Sequence, residues 1–503
     1  MIKLPGKLPG KGSNKVQGRA QPPAQAKFRR DLTALLGKEN CLFSPEDLLT
    51  YSYDASNERA LPDAVVFPMD AGQVSAVMFY ANEHGIPVVP RGAGSGLTGG
   101  SVAVNGGIVL VLERMNKIVE LDTENLCAVV ETGVITAHLQ AVAAREGLFY
   151  PPDPASKDFS TIGGNIAENA GGMRAAKYGV TKQYVLGLEV VLPNGEIINL
   201  GSKCIKDVAG YSMTELFVGS EGTFGIITRA IIKLITLPEI VKTLAICFAT
   251  IGDAGRVVPL VLKSGVVPCT LEFIDSTCLQ AVLNMDSVHG IDHQIPQETK
   301  AMLLIEVDGP AHVVDRDAQT VLDICRQSRM LSSRMAETEL EREGLWRVRR
   351  SIHGAITGLC PKWLEEDISV PPASIPLMLE RLQELARREN LRILSFGHYA
   401  DGNIHLSVSE QDTPLSPERA GVVKALIFSE TVKLGGRIAA EHGIGSVKKE
   451  YLGLNLDDAT LNFAMRLKKM VDPRGILNPG KVFPDRVWSE AFGADHKSVD
   501  IDK

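Results

Sequence analysis

The sequence predicts an α+β protein of two or three domains, and three observations carry this. At 503 residues the chain is longer than one hydrophobic core can serve. The stretch PRGAGSGLTGGS, Pro90 to Ser101, packs five glycines into the nine residues Gly92 to Gly100, with strand-like residues before it and no helical pattern after it. From about residue 239 the texture changes to strands alternating with helices, which need a core of their own.

The bulk numbers exclude several classes. A hydrophobic content of 45% and a charged content of 22% are ordinary globular values. The net charge of −7 argues against nucleic acid as a partner. No apolar run approaches the roughly 18 residues that a membrane-spanning helix needs. The eight cysteines contain no C-x-x-C pair. That fits reduced cytosolic thiols and excludes a cysteine-ligated iron–sulfur cluster of the usual spacing.

Taken in order, residues 1–27 hold no acid and carry Pro5, Gly6, Pro9 and Gly10, so they read as a flexible basic tail and match a transit peptide poorly. Phe28–Leu36 reads as a short helix. Val74, Val77, Met78 and Ala81 recur at i, i+3, i+4 and i+7, which predicts an amphipathic helix over 71–84. Ile86–Val89 reads as a strand leading into the glycine loop. Exposed N–H groups in such a loop form a nest for anions, so a phosphate or pyrophosphate is the first candidate ligand. Gly94, Gly96 and Gly99 match the G-x-G-x-x-G fingerprint, but that motif must open a helix. Val102–Leu112 reads instead as a turn and a strand, Ile108–Leu112. The reading is therefore a pyrophosphate loop between strands rather than a Rossmann turn; a glycine-rich connector without ligand is the plainer alternative.

Ala128–Gly133 reads as a strand and Ile135–Glu146 as a helix. Two more glycine clusters follow. One is Thr161–Gly172, preceded by Pro151-Pro-Asp-Pro154; backbone at Gly163, Gly164, Gly171 and Gly172 could line a second side of the same ligand. The other is Leu216–Thr228. Beyond 239, strands are expected at Thr243–Phe248, Thr270–Phe273 and Met302–Val307, and helices at 252–263, 311–326, 373–390 and 414–434.

The stretch GHYADGNIH, Gly397 to His405, holds the chemistry of this second region. Asp401-Gly402 between apolar runs signals a two-residue hairpin loop. On that register His398 and His405 stand directly opposite, with Cβ atoms roughly 4.5–5.5 Å apart. Two imidazoles so placed can chelate one metal, with Glu441 of Ala440-Glu-His-Gly-Ile-Gly445 as the candidate third ligand. Two His and one carboxylate leave coordination positions for substrate. The alternative is a hairpin pair that merely packs together.

The segments PRGAGSGLTGGS, PPDPASKDFSTIGGNIAENAGG and LFVGSEGTFGIIT resemble the FAD-binding domain of the vanillyl-alcohol-oxidase type flavoproteins. The resemblance runs from about residue 40 to 485. It points to the branch of D-lactate dehydrogenases, glycolate oxidase FAD subunits and D-2-hydroxyglutarate dehydrogenases. It implies a two-lobed FAD-binding domain of the PCMH type over 28–238, an α+β cap domain with an antiparallel sheet over 239–440, and a C-terminal segment, 441–503, that returns to the FAD domain. The cofactor-binding set it implies begins with Arg91, Gly92, Ala93, Gly94, Ser95, Gly96, Leu97, Gly99 and Gly100. It continues with Pro152, Asp153, Ser160, Thr161, Gly163, Gly164, Asn165, Ala167, Asn169, Gly171 and Gly172, and closes with Gly222, Ile226, Ile227 and Asn478. The first loop holds no histidine for covalent flavin attachment.

GHYADGNIH and EHGIG resemble the branch's metal and base motifs. The implied ligands are His398, His405 and Glu441 on a divalent metal, zinc first and iron or manganese as alternatives. His442 is implied as general base, with Arg349 and Asn403 at the substrate. Ala400 replaces the usual glycine. His353 and Glu365 stand where the hydroxyglutarate enzymes carry a Thr and a Lys, and Glu365 would repel a second carboxylate, although Lys362 could substitute. The expected function is oxidation of a small (R)-2-hydroxy acid, D-lactate before glycolate or D-2-hydroxyglutarate, with electrons passed to a separate acceptor. That acceptor would be an iron–sulfur subunit, an electron-transfer flavoprotein, a cytochrome or a quinone. The expected location is cytoplasmic, or peripheral to the inner membrane through that acceptor. A non-redox transferase like alkyl-dihydroxyacetone-phosphate synthase and a non-catalytic FAD subunit are the competing classes.

Overall fold

The computed structural model describes residues 23–285, 295–360, 362–411 and 413–493. The chain divides into two compact units: Glu239–Ala440 forms one, and Pro22–Pro238 with Glu441–Lys503 forms the other.

The second of these opens on the helix Pro23–Leu36, which starts five residues earlier than the sequence suggested. A proline at a helix start lacks only an N–H that would be unpaired anyway. The rest of the basic tail lies outside the described residues. Strands β1 (Cys41–Leu42), β2 (Ala64–Val66), β3 (Val88–Arg91) and β4 (Ile108–Val111) form a sheet in the order β1-β2-β4-β3. The helix Ala71–His84 connects β2 to β3. Asp70 caps its first turn by accepting from the Gln73 N–H at 2.8 Å, and Gly85 at φ 66° ends it. Its apolar stripe, Val74, Val77, Met78 and Ala81, is wholly buried, each larger side chain contributing about 1.5–3 kcal/mol by leaving water. β3 and β4 run parallel and no helix lies between them, so the glycine loop is a connection between strands.

A second lobe holds β5 (Ile118–Asp122), β6 (Cys127–Glu131), β8 (Val185–Val191), β9 (Ile197–Gly201) and β10 (Ile226–Lys233), all antiparallel, in the order β5-β6-β10-β8-β9. The short pair β7 (Leu148–Phe149) and β11 (Ile235–Thr236) lies beside it. Here Thr161–Gly172 departs from the sequence reading. Most of it is a helix, Ile162–Glu168, capped by Thr161. The Gly163 N–H goes to Thr132 O at 2.8 Å and the Gly164 N–H to Thr161 Oγ1 at 3.2 Å. Neither is left for a ligand. Gly163 is required by closeness instead: an added Cβ would stand 2.6 Å from Thr132 Cβ.

In Glu239–Ala440, seven strands make one antiparallel sheet: β12 (Ile240–Phe248), β13 (Thr270–Asp275), β14 (Ala301–Gly309), β15 (Met330–Met335), β16 (Leu364–Ser369), β17 (Arg392–His398) and β18 (Asn403–Ser409), in the order β15-β12-β14-β13-β17-β18-β16. Helices Ile251–Lys263, Ala311–Gln327 and Ile375–Glu389 pack on this sheet with strongly one-sided apolar faces. The helix Glu339–Arg350 sends Arg342 and Trp346 to Glu306 on β14 and Arg349 to Glu272 on β13.

The β17–β18 hairpin corrects the sequence reading. Phe396, not His398, pairs with His405. The loop is Tyr399–Gly402, four residues rather than two. Tyr399 explains it. Its N–H bonds Leu271 O at 3.0 Å and its ring stacks on Phe273 at 4.3 Å and 7°, so contacts with β13 hold Tyr399 at the start of the loop. Gly402, at φ 87°, closes the turn.

Candidate active site

In the unit that holds Pro90–Ser101 the first glycine loop is oriented peptide by peptide. Gly96 O accepts from Ala55 N–H, Thr98 O from Ser446 and Val447 N–H, Gly99 O from the Lys481 ammonium, and Gly100 O from Asn478 Nδ2. In a planar trans peptide the N–H points opposite to the C=O. Among the described residues none accepts a hydrogen bond from the backbone N–H groups of Gly92 to Ser101. Gly94 and Gly99 sit at φ 68° and 77°. A row of unspent donors on a half-buried loop fits an anionic ligand, and the diphosphate of FAD is such a group.

The other residues of the expected set fall into two kinds. Arg91 lies beneath the loop, donating to Tyr53 O at 2.7 Å and Ser101 Oγ at 3.4 Å. Ser160 and Asn165 spend their side chains on Thr136, and Asn169 accepts from Lys182 N–H. Asp153 pairs with Lys157. Ile226 and Ile227 are strand residues of β10. These are framework contacts. Asn478, at φ 45°, holds Gly100 O and Glu221 O through Nδ2, while its Oδ1 is buried without a partner. Gly222, at φ 66°, lies against Pro90.

Glu441 and His442 stand beside both glycine loops of the same unit. His442 O accepts from Thr98 Oγ1 at 3.1 Å, and Glu441 lies against Gly171. The His442 ring is 3.7 Å from the Glu441 carboxylate. Beyond Gly443, Ile444 and Gly445 donate their N–H groups to the buried Glu221 carboxylate at 2.8 and 2.6 Å.

In Glu239–Ala440 the two histidines meet diagonally rather than head-on. His398 and Phe396 share a face of β17 and Phe396 faces His405, so both imidazoles lie on one side of the sheet. Their Nε2 atoms are 3.5 Å apart, with the rings nearly perpendicular. Two nitrogens bound to one tetrahedral metal at 2.0–2.1 Å are about 3.4 Å apart. The donor pair therefore fits a metal without rearrangement.

The sequence reading missed Glu272. It faces His398 across β13 and β17 and is wholly buried. His398 Nδ1 donates to Glu272 Oε1 at 2.6 Å, which fixes the tautomer and turns Nε2 toward His405. Arg349 Nε donates to Glu272 Oε2, also at 2.6 Å. Burial pushes the Glu272 carboxyl up, yet the His398 ring and the Arg349 guanidinium outweigh it and hold the group below the usual carboxylate range. The alternation Thr-Leu-Glu-Phe-Ile-Asp could have flagged a carboxylate on a sheet face, but nothing local names its partner. Arg349 thus serves Glu272 with one nitrogen, and its cation lies over the Phe396 ring.

Asn403 lies on the same face as His405, two residues away, with Oδ1 buried and unpartnered. Asp367 faces His405 directly and accepts the Ala440 N–H at 2.9 Å. The residue covalently after Ala440 is Glu441. Glu365 and His353 face each other at 3.3 Å on the exposed surface.

Residues 62–201 match the family described as FAD binding domain, and residues 237–482 match the FAD linked oxidases, C-terminal domain. The chain is 42% identical over 460 residues to glycolate oxidase subunit GlcD of Bacillus subtilis (strain 168), covering 90% of this chain and 96% of that one. It is 35% identical to a D-lactate dehydrogenase of Anaerostipes hadrus, over 84% of this chain and 90% of the relative. It is 32% identical to a D-2-hydroxyglutarate dehydrogenase of Stutzerimonas stutzeri, over 90% and 98%. Among solved structures, p-cresol methylhydroxylase with substrate bound superposes with a TM-score of 0.73 at 20% identity, covering 92% of this chain and 97% of that one. An alkyldihydroxyacetonephosphate synthase superposes with a TM-score of 0.69 at 21% identity, covering 92% and 85%. At such identities these two share the fold, an α+β architecture with a PCMH-type FAD-binding domain. No described helix is long and apolar enough to cross a membrane. From the two domain matches and the full-length relatives, the chain belongs to the FAD-linked oxidases and is an oxidoreductase of their 2-hydroxyacid-oxidising branch.

Proposed function

We propose that this chain oxidises a small (R)-2-hydroxy acid, D-lactate first, and passes the electrons to a separate acceptor. The observation that carries the reading is the His398–His405 pair, whose 3.5 Å nitrogen spacing suits one metal and whose orientation is set by Glu272. When bound, FAD supplies the two-electron acceptor that turns a 2-hydroxy acid into a 2-oxo acid. A divalent metal, zinc first, would supply Lewis acidity that lowers the pKa of the substrate hydroxyl.

The chain's own residues do the rest. His398 and His405 would hold the metal, with Glu441 as the expected third ligand. His442 takes the hydroxyl proton. Arg349 pairs with the substrate carboxylate through its two terminal nitrogens, its Nε being held by Glu272. Asn403 offers its side chain on the same face as His405. The substrate is small because Glu365 is hostile to a second carboxylate. Its exposed pairing with His353 softens that effect.

Glycolate is the second reading, and the 42% identity to a glycolate oxidase subunit favours it. A substrate panel under anaerobic conditions, read as flavin bleaching, separates them. D-lactate is expected to exceed glycolate and D-2-hydroxyglutarate, with L-lactate poor. A higher kcat/KM for D-2-hydroxyglutarate would overturn the small-acid reading. Chelation should abolish dye reduction and a divalent ion should restore it; full activity after thorough demetallation would make the histidine pair structural.

A further inference from the structure

The C-terminal return segment buries Lys448, Lys468 and Lys481, and the last two are of opposite character. Lys468 is fully buried and compensated: its ammonium bonds Asp472 Oδ2 at 2.6 Å and the carbonyls of Thr223 and Leu477 at 2.8 Å. Lys481 is equally buried, but its ammonium bonds two neutral carbonyls, Gly99 O at 2.5 Å and Val102 O at 2.7 Å. Among the described residues no carboxylate lies within ion-pair distance of it. A buried charge without a counter-charge is costly and is ordinarily paired or neutralised. Burial pulls Lys481 from the ordinary 10.5 to about 8, while Asp54, Glu58 and Glu221 draw it back up and Lys449 opposes them. The fold thus keeps an ammonium whose direct contacts are neutral carbonyls, with its carboxylate neighbours at longer range.

The place of that charge is informative. Lys481 holds the C=O side of the Gly99–Gly100 peptide, Asn478 that of Gly100–Ser101, and the Ser446 and Val447 N–H groups that of Thr98–Gly99. The N–H groups of Gly99, Gly100 and Ser101 therefore point away from the return segment, toward the side where the loop's donors are unspent. We propose that Lys481 is a positioning residue and the counter-charge for the FAD diphosphate, acting through the glycine loop: it aligns the donors and supplies the positive charge that the bound anion neutralises. This rests on the glycine loop being the diphosphate site. It implies that the apoprotein carries an electrostatic cost that FAD binding relieves.

The test titrates deflavinated full-length protein with FAD and follows flavin fluorescence, alongside the melting temperature of the apoprotein. Lys481→Met should raise the Kd for FAD about 10- to 100-fold, as loss of roughly 1.4–2.8 kcal/mol would. It should leave the apoprotein melting temperature unchanged or raised, because Gly99 O keeps the Val102 N–H at 3.2 Å and Val102 O keeps the Val104 N–H at 2.9 Å. Lys468→Met, which orphans Asp472, should lower it. Binding an anion favours the ammonium form, so wild-type FAD affinity should fall as pH rises from 7 to 9.5, and Lys481→Met should flatten that slope. An apoprotein destabilised as in Lys468→Met, with FAD affinity within two-fold of wild type, would reduce Lys481 to a structural post. Should Lys481→Met fail to fold, the wild-type titration decides: a flat profile overturns the proposal. Wild-type protein that takes up no FAD at all would instead sink the cofactor site itself.

Discussion

The glycine-loop unit and the cap sheet solve different binding problems. The first presents backbone: unspent N–H groups on a loop whose carbonyls are tied down from behind. The second presents side chains: two imidazoles on one sheet face, one of them oriented by a buried carboxylate that an arginine holds in turn. A backbone site tolerates many side chains and fails when a glycine gains bulk. A side-chain site tolerates backbone change and fails when one orienting group is lost. Substitutions should therefore separate the two.

The largest effect is expected at His442. Its ring lies beside Glu441 while its backbone is held by Thr98. His442→Ala should leave FAD and metal bound near wild-type stoichiometry and slow flavin bleaching in anaerobic single turnover about 10²–10⁴-fold, the usual worth of a positioned base. Bleaching within a few-fold of wild type would remove the base role from His442.

Glu272→Gln comes next. It keeps the shape beside His398 but removes the charge that fixes the ring. Metal affinity, measured by competition with a chromophoric chelator, should fall about 10–100-fold, as for other groups that orient a metal-binding histidine. Unchanged metal affinity would mean that Glu272 serves Arg349 alone.

Gly163→Ala tests the other unit. The added methyl would stand 2.6 Å from Thr132 Cβ, an overpacked contact expected to cost about 1–3 kcal/mol in urea unfolding. Gly164→Ala, whose Cβ meets Thr161 Oγ1 at 3.3 Å, should cost less. Equal costs would show that closeness to Thr132 does not set Gly163 apart.

The smallest effect is expected at His353. It is exposed and pairs with Glu365, and such surface pairs are worth little. His353→Ala should leave D-lactate turnover within about two-fold while raising KM for D-2-hydroxyglutarate. An unchanged ratio would show that Glu365 plays no part in substrate choice.

By itself the sequence determined what local periodicity and glycine chemistry can encode. Val74, Val77, Met78 and Ala81 announce their helix because 3.6 residues make a turn, and all four are buried. The absence of a helical pattern after Gly100 identifies a loop between strands, which the parallel pair β3–β4 bears out. The two-residue period of a strand puts His398 and His405 on one face whichever even-numbered register the hairpin takes. The register itself was decided by tertiary structure: Tyr399 is captured by Leu271 and Phe273, more than a hundred residues earlier in the chain, and the loop lengthens to four. The same holds for Gly163, which reads as a ligand-facing glycine but is a packing requirement against Thr132. Glu272 for His398 and Lys481 for Gly99 are likewise long-range partners, and no local pattern encodes which distant strand or segment will arrive beside a given residue. Periodicity fixes the direction in which a side chain points; what it meets there depends on how the whole chain closes.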